Sequence, residues 1–155
     1  MKKYLRLLPV LLLSALLLSG CGSTEPLPDG MEEDPLLDAG QAVVDALIAQ
    51  QYSEVYSQFR EDIRDGLSEA DVRDLAAPVL EAAGDFESVD ETSVTGSTEG
   101  ETHAIAQYTC SFTQQEVEFQ VAFDPDLNLI GLSVGGRETG WSLSHLFENV
   151  SNLFG

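Results

Sequence analysis

Positive charge is scarce in this chain. It has seven lysine and arginine residues against 27 aspartate and glutamate residues. Three of the seven, Lys2, Lys3 and Arg6, lie near the N-terminus, so a chain beginning at Cys21 would hold four arginines, no lysine and a formal charge of −23. Such a surface repels the phosphates of nucleic acids and anionic lipid headgroups. Nucleic-acid binding is therefore excluded, and the charge favours either plain solubility or affinity for cations and basic partners.

Cysteine is equally rare, with one residue at Cys21 and one at Cys110. If Cys21 is modified, no intrachain disulfide can form and the fold depends on its hydrophobic core. Cys110 alternates with Ala106, Tyr108 and Phe112, which predicts that it lies on the apolar face of a strand. A cysteine in that position behaves as a small hydrophobic residue rather than as a nucleophile.

The usual signatures of catalysis and cofactor binding are missing. The sequence has neither a G-x-S-x-G motif nor a nucleotide-binding glycine loop. His103 and His145 are far apart in the sequence, whereas a zinc site needs clustered ligands. We expect His103 at an exposed strand edge. The segment 124–128 resembles the start of a calcium loop, but the sixth and twelfth positions are Leu129 and Gly135. We therefore predict a turn there, and no metal site, cofactor or catalytic residue.

A long apolar run occurs once, from Leu7 to Leu18, and it is shorter than the roughly 20 residues that a spanning helix needs. The run ends in Leu18-Ser19-Gly20-Cys21, which resembles the lipobox of bacterial lipoproteins. The resemblance implies a signal peptide over residues 1–20, cleavage after Gly20 and lipidation of Cys21. The alternatives are an uncleaved membrane anchor or an ordinary secretory signal. We expect a protein held by its lipid at the extracytoplasmic face of the cell membrane.

Periodicity divides the rest of the chain into helices followed by strands. Residues 21–35 are rich in proline and acidic side chains and are predicted to form a flexible tether. Helical spacing runs over 36–63, with a break near 50–53, and again over 68–84, where Pro78 should kink or split the helix. Period-two alternation then predicts four strands, over residues 89–94, 102–113, 117–123 and 127–134.

This order predicts an α+β fold with N-terminal helices packed on a curved antiparallel sheet of three to four strands. Residues 136–155 contain a loop and then apolar residues at helical spacing, which predicts a C-terminal amphipathic helix. That helix has no basic residues on its polar face, so we expect it to pack on the domain rather than on a membrane.

The segments QYSEVYSQF, LSEADVRDL, AAGDF and VEFQVAFDPDLNLIGLSV occur in this order over residues 38–134. Together they resemble the DUF3887 family of extracytoplasmic, often lipid-anchored domains, and the order of elements looks like the cone of the NTF2-like superfamily. The resemblance implies such a domain over residues 36–135 and carries no assigned activity. One departure is Gln50-Gln51, where relatives often have Gly-Asp before the aromatic helix.

Six aromatic residues are candidates either for lining a pocket in such a cone or for filling its core: Tyr52, Tyr56, Tyr108, Phe112, Phe119 and Phe123. Glu116 and Glu118 fall on the opposite strand face, so no general base is evident. We therefore expect a non-enzymatic binding or protein-interaction domain, with an envelope protein or a small apolar ligand as partner. The alternatives are a small enzyme with an apolar pocket and a purely structural envelope subunit.

The lipobox prediction is tested by Cys21→Ala. We expect the variant to lose the mass of the lipid and to leave the membrane fraction, because no thioether can form at alanine. Intact mass spectrometry and membrane fractionation measure both effects. A variant that still pellets with membranes would favour the uncleaved anchor.

Overall fold

The computed structural model describes residues 25–98 and 100–136. Several predicted features lie outside these residues: the signal peptide with Gly20, the lipidation site Cys21, His145 and the C-terminal helix. Of the predicted C-terminal segment 136–155, only Gly136 is described. Four helices precede four strands: α1 Glu33–Ile48, α2 Tyr52–Gln58, α3 Glu61–Arg64, α4 Glu69–Ala83, β1 Phe86–Ser97, β2 His103–Phe112, β3 Glu116–Phe123 and β4 Leu129–Gly136. Within the described part of the chain, none of the helices has the length and apolar character needed to cross a membrane.

The helix α1 begins inside the range predicted as tether. Its first turn carries Glu33 and Asp34, whose negative charges favour a helix N-terminus. Before it, Met31 is buried in the core, and the carbonyl oxygen of Glu25 accepts a 3.0 Å hydrogen bond from the backbone N–H of Gly96. The tether prediction is corrected accordingly, because residues 25–35 belong to the folded domain.

The helix α4 begins at a capping box. The hydroxyl of Ser68 accepts a hydrogen bond from the backbone N–H of Asp71, and the Asp71 carboxylate accepts one from the N–H of Ser68. Of the two outcomes expected at Pro78, a kink or a split, the split does not occur, because α4 is continuous across it. Proline removes one helical hydrogen bond, and the burial of Val72, Ala76 and Ala83 against the domain offsets that loss.

The strands form one antiparallel sheet in the order β1-β2-β3-β4. The strand β1 is longer than predicted, because its first residues are exposed and interrupted by two register shifts that hide the alternation. The strand β4 starts two residues later than predicted, since Leu127 has a positive φ of 62° in the preceding turn. The structure thus confirms an α+β fold with helices and a four-stranded open antiparallel sheet.

One face of the sheet forms the core with the helices. Neighbouring strands align inward residues in rows, such as Tyr108 opposite Phe119 and Phe119 opposite Val134. From the helices, α1 contributes the largest buried set, which is Leu36, Val43, Val44 and Leu47. Most outward residues of β2 and β3 are polar and half-buried, for example Gln107 and Gln120, as expected for the other face of a half-covered sheet, whereas Ile105 and the buried Ala122 form an apolar pair on that face.

A close contact sets the distance between α1 and the sheet. The hydroxyl of Tyr108 donates a 2.6 Å hydrogen bond to the backbone carbonyl of Leu37. A Cβ added at Gly40 would lie 2.4 Å from that hydroxyl oxygen, closer than atoms can approach. Burial, followed by the negative charge of Asp38, raises the pKa of Tyr108 to about 12, so the phenol stays a donor at neutral pH.

We expect Gly40→Ala to lower the free energy of unfolding by about 1–3 kcal/mol, because the methyl group displaces Tyr108 and strains the core. This loss exceeds the gain of about 1 kcal/mol that alanine brings to a helix. Urea unfolding followed by circular dichroism measures the change. Gly66→Ala is the matched control, since a Cβ there would meet its nearest atom at 3.9 Å. Equal stability of both variants would contradict the close approach.

Candidate functional site

The six aromatic candidates separate into three groups. Tyr108, Phe119 and Phe123 are at most 1% exposed and fill the core between the sheet and the helices. Tyr56 is half-buried, and its hydroxyl lies 3.4 Å from the carbonyl oxygen of Arg64. Tyr52 and Phe112 lie elsewhere, on a groove at one end of the domain.

We call this cavity the end groove; its volume is about 400 Å³. Three parts of the chain line it. The corner between α1 and α2 contributes Ile48, Gln50 and Tyr52, the end of α4 contributes Ala77, Leu80 and Glu81, and the start and end of the β1–β2 hairpin contribute Gly84, Asp85, Phe86 and Phe112. The volume falls near the lower end of small-ligand sites, which span roughly 300–1,000 Å³.

Two phenylalanines form the aromatic wall of the end groove. Their rings meet edge to face, with centroids 5.6 Å apart and an interplanar angle of 74°. Phe112 is 6% exposed, whereas Phe86 is 40% exposed. Phe86 therefore packs against Phe112 and leaves part of its ring exposed at the groove.

Backbone hydrogen bonds fix this wall to α4. Gly84 ends the helix with a φ of 85°, a conformation that side chains rarely adopt. Beyond it, the N–H of Thr113 donates to the carbonyl of Asp85 at 2.9 Å, and the Thr113 hydroxyl accepts from the N–H of Asp85 at 3.0 Å. The N–H of Gln114 reaches the carbonyl of Ala83 at 2.9 Å. The phenylalanines are thus held against the helix end by a rigid connection.

Gln50 lies in a strained conformation on the opposite wall. Its φ is 59°, the left-handed region that favours glycine. The N–H of Gln51 bonds to the carbonyl of Ala46 at 2.8 Å and that of Gln50 to Leu47 at 3.0 Å. These two bonds form a Schellman motif, in which the position of Gln50 is usually a glycine. A side chain kept at such a position motivates a functional hypothesis for the groove.

The electrostatic character of the end groove is negative. Glu81 and Asp85 are exposed, and their carboxylates accept no hydrogen bond from the described part of the chain. Burial raises the pKa of Tyr52, and the negative charge of Glu81 raises it further against the opposing effect of Arg73. None of the described residues that line the groove carries a positive charge.

A second polar cluster joins the N-terminal end of α3 to the β3–β4 turn. The carboxylate of Asp124 accepts from the N–H groups of Asp126 and Asn128 at 3.0 and 2.9 Å and from Arg60 at 3.2 Å. Burial alone would raise the pKa of Asp124, but the hydrogen bonds from Asn128 and Arg60 lower it on balance. Arg60 also pairs with Asp62 and Glu101. All these groups are occupied by one another, so the segment 124–128 is a turn, as predicted.

The remaining chemistry-bearing residues lie apart from both clusters. His103 is 9% exposed, so the expectation of an exposed edge is wrong; its Nδ1 lies 2.6 Å from the carbonyl oxygen of Glu101. Cys110 is fully buried, and burial raises the pKa of its thiol to about 11, which leaves it protonated at neutral pH. Residues 25–98 and 100–136 contain no group of three or more histidine, cysteine, aspartate or glutamate residues able to hold a metal ion.

Comparison with known proteins places this architecture. The sequence model of DUF3887, described as "Protein of unknown function", matches residues 40–132. The chain belongs to the DUF3887 family. The same fold occurs in the NMR structure of a protein from Ruminococcus gnavus ATCC 29149, with a TM-score of 0.61, 18% identity and coverage of 71% of this chain and 96% of that one. No curated protein matches the chain.

The sequence motifs of the DUF3887 domain include residues that line the end groove, but the motifs alone do not predict a cavity. The segment AAGDF contains Gly84, Asp85 and Phe86, and the departure at Gln50-Gln51 marks the opposite wall. Phe86 was missed as a candidate because it lies at the ragged start of β1, where alternation is weak. Glu81 carries no local signal that distinguishes it from the other exposed acidic residues.

The strain at Gln50 predicts the effect of restoring glycine in this DUF3887 domain. We expect Gln50→Gly to raise the free energy of unfolding by about 1 kcal/mol, because glycine adopts the left-handed region without cost. Thermal and urea unfolding measure the gain. Gln51→Gly is the control: its φ of −89° suits any residue, so glycine there should cost about 0.5–1 kcal/mol. A loss of stability in both variants would show that Gln50 is unstrained.

Proposed function

We propose that this DUF3887 protein is a lipid-anchored, extracytoplasmic binding domain without catalytic activity, and that it contacts a partner protein of the envelope through the end groove. The lipobox ending in Cys21 supports the location. We also assign the domain to the NTF2-like superfamily, on the order of four N-terminal helices and a curved antiparallel meander, with the C-terminal amphipathic helix as an addition.

The observation that carries this proposal is the exposure of Phe86 beside a concave surface. A large aromatic side chain that is 40% exposed loses the free energy of burial, and the rigid hairpin connection holds it there. Aromatic residues at the centre of a concave patch are typical of protein-interaction hot spots. Tyr52 and the edge of Phe112 extend the same apolar surface, so a partner could bury all three rings together.

The arrangement of the acidic groups supports the proposal of a binding role without catalysis. A general base must be positioned by a neighbouring group and placed near a reacting atom. The side-chain carboxylates of Glu81 and Asp85 are exposed and accept no hydrogen bond within the described residues, so no neighbouring group there fixes their orientation. The tightly bonded carboxylate of Asp124 is occupied by backbone N–H groups and Arg60. These arrangements favour binding over proton transfer at the groove.

A photo-crosslinking amino acid in place of Phe86 tests the proposal in native membranes. We expect a discrete crosslinked protein band at this position, because the partner covers the groove. The same amino acid in place of Glu61, which is exposed and outside the groove, is the control and should give no such band. Identical patterns at both positions, or none at either, would contradict a partner at the end groove.

A further inference from the structure

We propose that the end groove receives an arginine or lysine side chain from an extended basic segment of the partner protein. This inference rests on the proposed function and adds the chemistry of the group that is recognised. The argument combines the aromatic wall, the two carboxylates at the rim and the charge of the whole chain.

The aromatic wall can hold a cation through its ring electrons. Phe86 is 40% exposed, and Tyr52 lies across the same cavity. A cation within about 6 Å of such a ring is attracted by the ring electrons, and more strongly when water is removed. The apolar part of an arginine or lysine side chain would also cover the exposed ring of Phe86. One side chain would therefore supply both the cation for the ring electrons and the apolar contact that buries the ring.

The carboxylates supply the complementary charge. Glu81 lies in the last turn of α4 and Asp85 immediately before β1, and both line the same cavity. Neither side-chain carboxylate accepts a hydrogen bond from the described residues, and no basic residue among those lining the groove neutralises them. Elsewhere Arg60 is surrounded by three acidic residues, which shows the pairing that this chain makes when a guanidinium is within reach. Arg73, whose charge reaches Tyr52, pairs with Asp74 instead, so the cation of the end groove comes from a partner.

The negative net charge of the whole chain also favours a basic partner. The formal charge of −20 attracts basic segments over long distances and repels acidic peptides and phosphates. The rim residues Glu81, Asp85 and Phe86 are exposed, so the groove opens to solvent rather than enclosing its ligand. A free small cation would bury little surface there, whereas a side chain attached to a peptide gains additional contacts along the rim. The occupant is therefore a protein segment.

The test uses the full-length lipoprotein in nanodiscs of zwitterionic lipid. The probe is a fluorescein-labelled peptide, Gly-Ser-Arg-Gly-Arg-Ser-Gly, and its counterpart carries citrulline in place of both arginines to keep the shape without the charge. Fluorescence anisotropy measures the affinity. We expect the arginine peptide to bind at least about tenfold more tightly than the citrulline peptide, as for a charge-assisted pair.

Three variants connect this binding to the groove. The double variant Glu81→Gln/Asp85→Asn should weaken the arginine peptide about tenfold or more, and Phe86→Leu, which keeps apolar bulk but removes the ring, about threefold or more. Glu61→Gln/Asp65→Asn makes the same charge change at exposed positions outside the groove and should stay within about twofold. Circular dichroism confirms that each variant is folded.

The other outcomes overturn the inference in distinguishable ways. Equal binding of the arginine and citrulline peptides would reject a cation site and leave the groove as a binding surface. Equal weakening by the groove pair and the control pair would mean that surface charge alone attracts the peptide. If neither peptide binds, the cation site is rejected. The crosslink at position 86 then tests the proposed function separately. A crosslinked band there would support a partner of different chemistry, and no band would contradict a partner at the groove.

Discussion

The hydrogen bond from Tyr108 to the carbonyl of Leu37 determines how the helices lie on the sheet. It is possible because Gly40 has no side chain, so α1 approaches the middle of β2 to within contact of a phenol ring. Once α1 is fixed at this distance, Val43, Val44 and Leu47 meet the inward rows of the sheet. The end of α1 then positions the corner that carries Gln50, and the end groove forms where this corner faces the end of α4. A contact at the middle of the helix thus sets the geometry of a site at its end.

The local features of the fold were predictable from local sequence. The break between α1 and α2, the capping box at Ser68, the end of α4 at Gly84 and the meander all have short-range signals, and the structure confirms them. The errors arose where tertiary contacts outweigh local preference. Pro78 remains within a helix because that helix is buried on its other side, and residues 25–31 are ordered because they lie along β1.

The end groove is a different case, because its lining comes from segments that are far apart in the sequence. No periodic pattern places Gln50, Glu81 and Phe86 around one cavity, and exposed acidic residues are too common in this chain to identify two of them. The aromatic candidates show what strand periodicity can predict and what it cannot. Alternation correctly puts Tyr108 and Phe119 on an inward face, but only the structure separates these core residues from Tyr52 and Phe112 at the groove.

The contact between Glu25 and Gly96 has a consequence for the height of the domain above the bilayer. The predicted tether of fifteen residues would let the domain range over about 50 Å, at roughly 3.5 Å per residue. Glu25 is the first described residue, and it is already held at the end of β1. With the lipid at Cys21 that the sequence predicts, three residues lie between the anchor and Glu25, and the four chain steps reach at most about 14 Å. The Gly96 end of β1 would then sit close to the headgroups, whereas Phe86 of the end groove lies at the opposite end of the same strand, so the groove would face away from the bilayer.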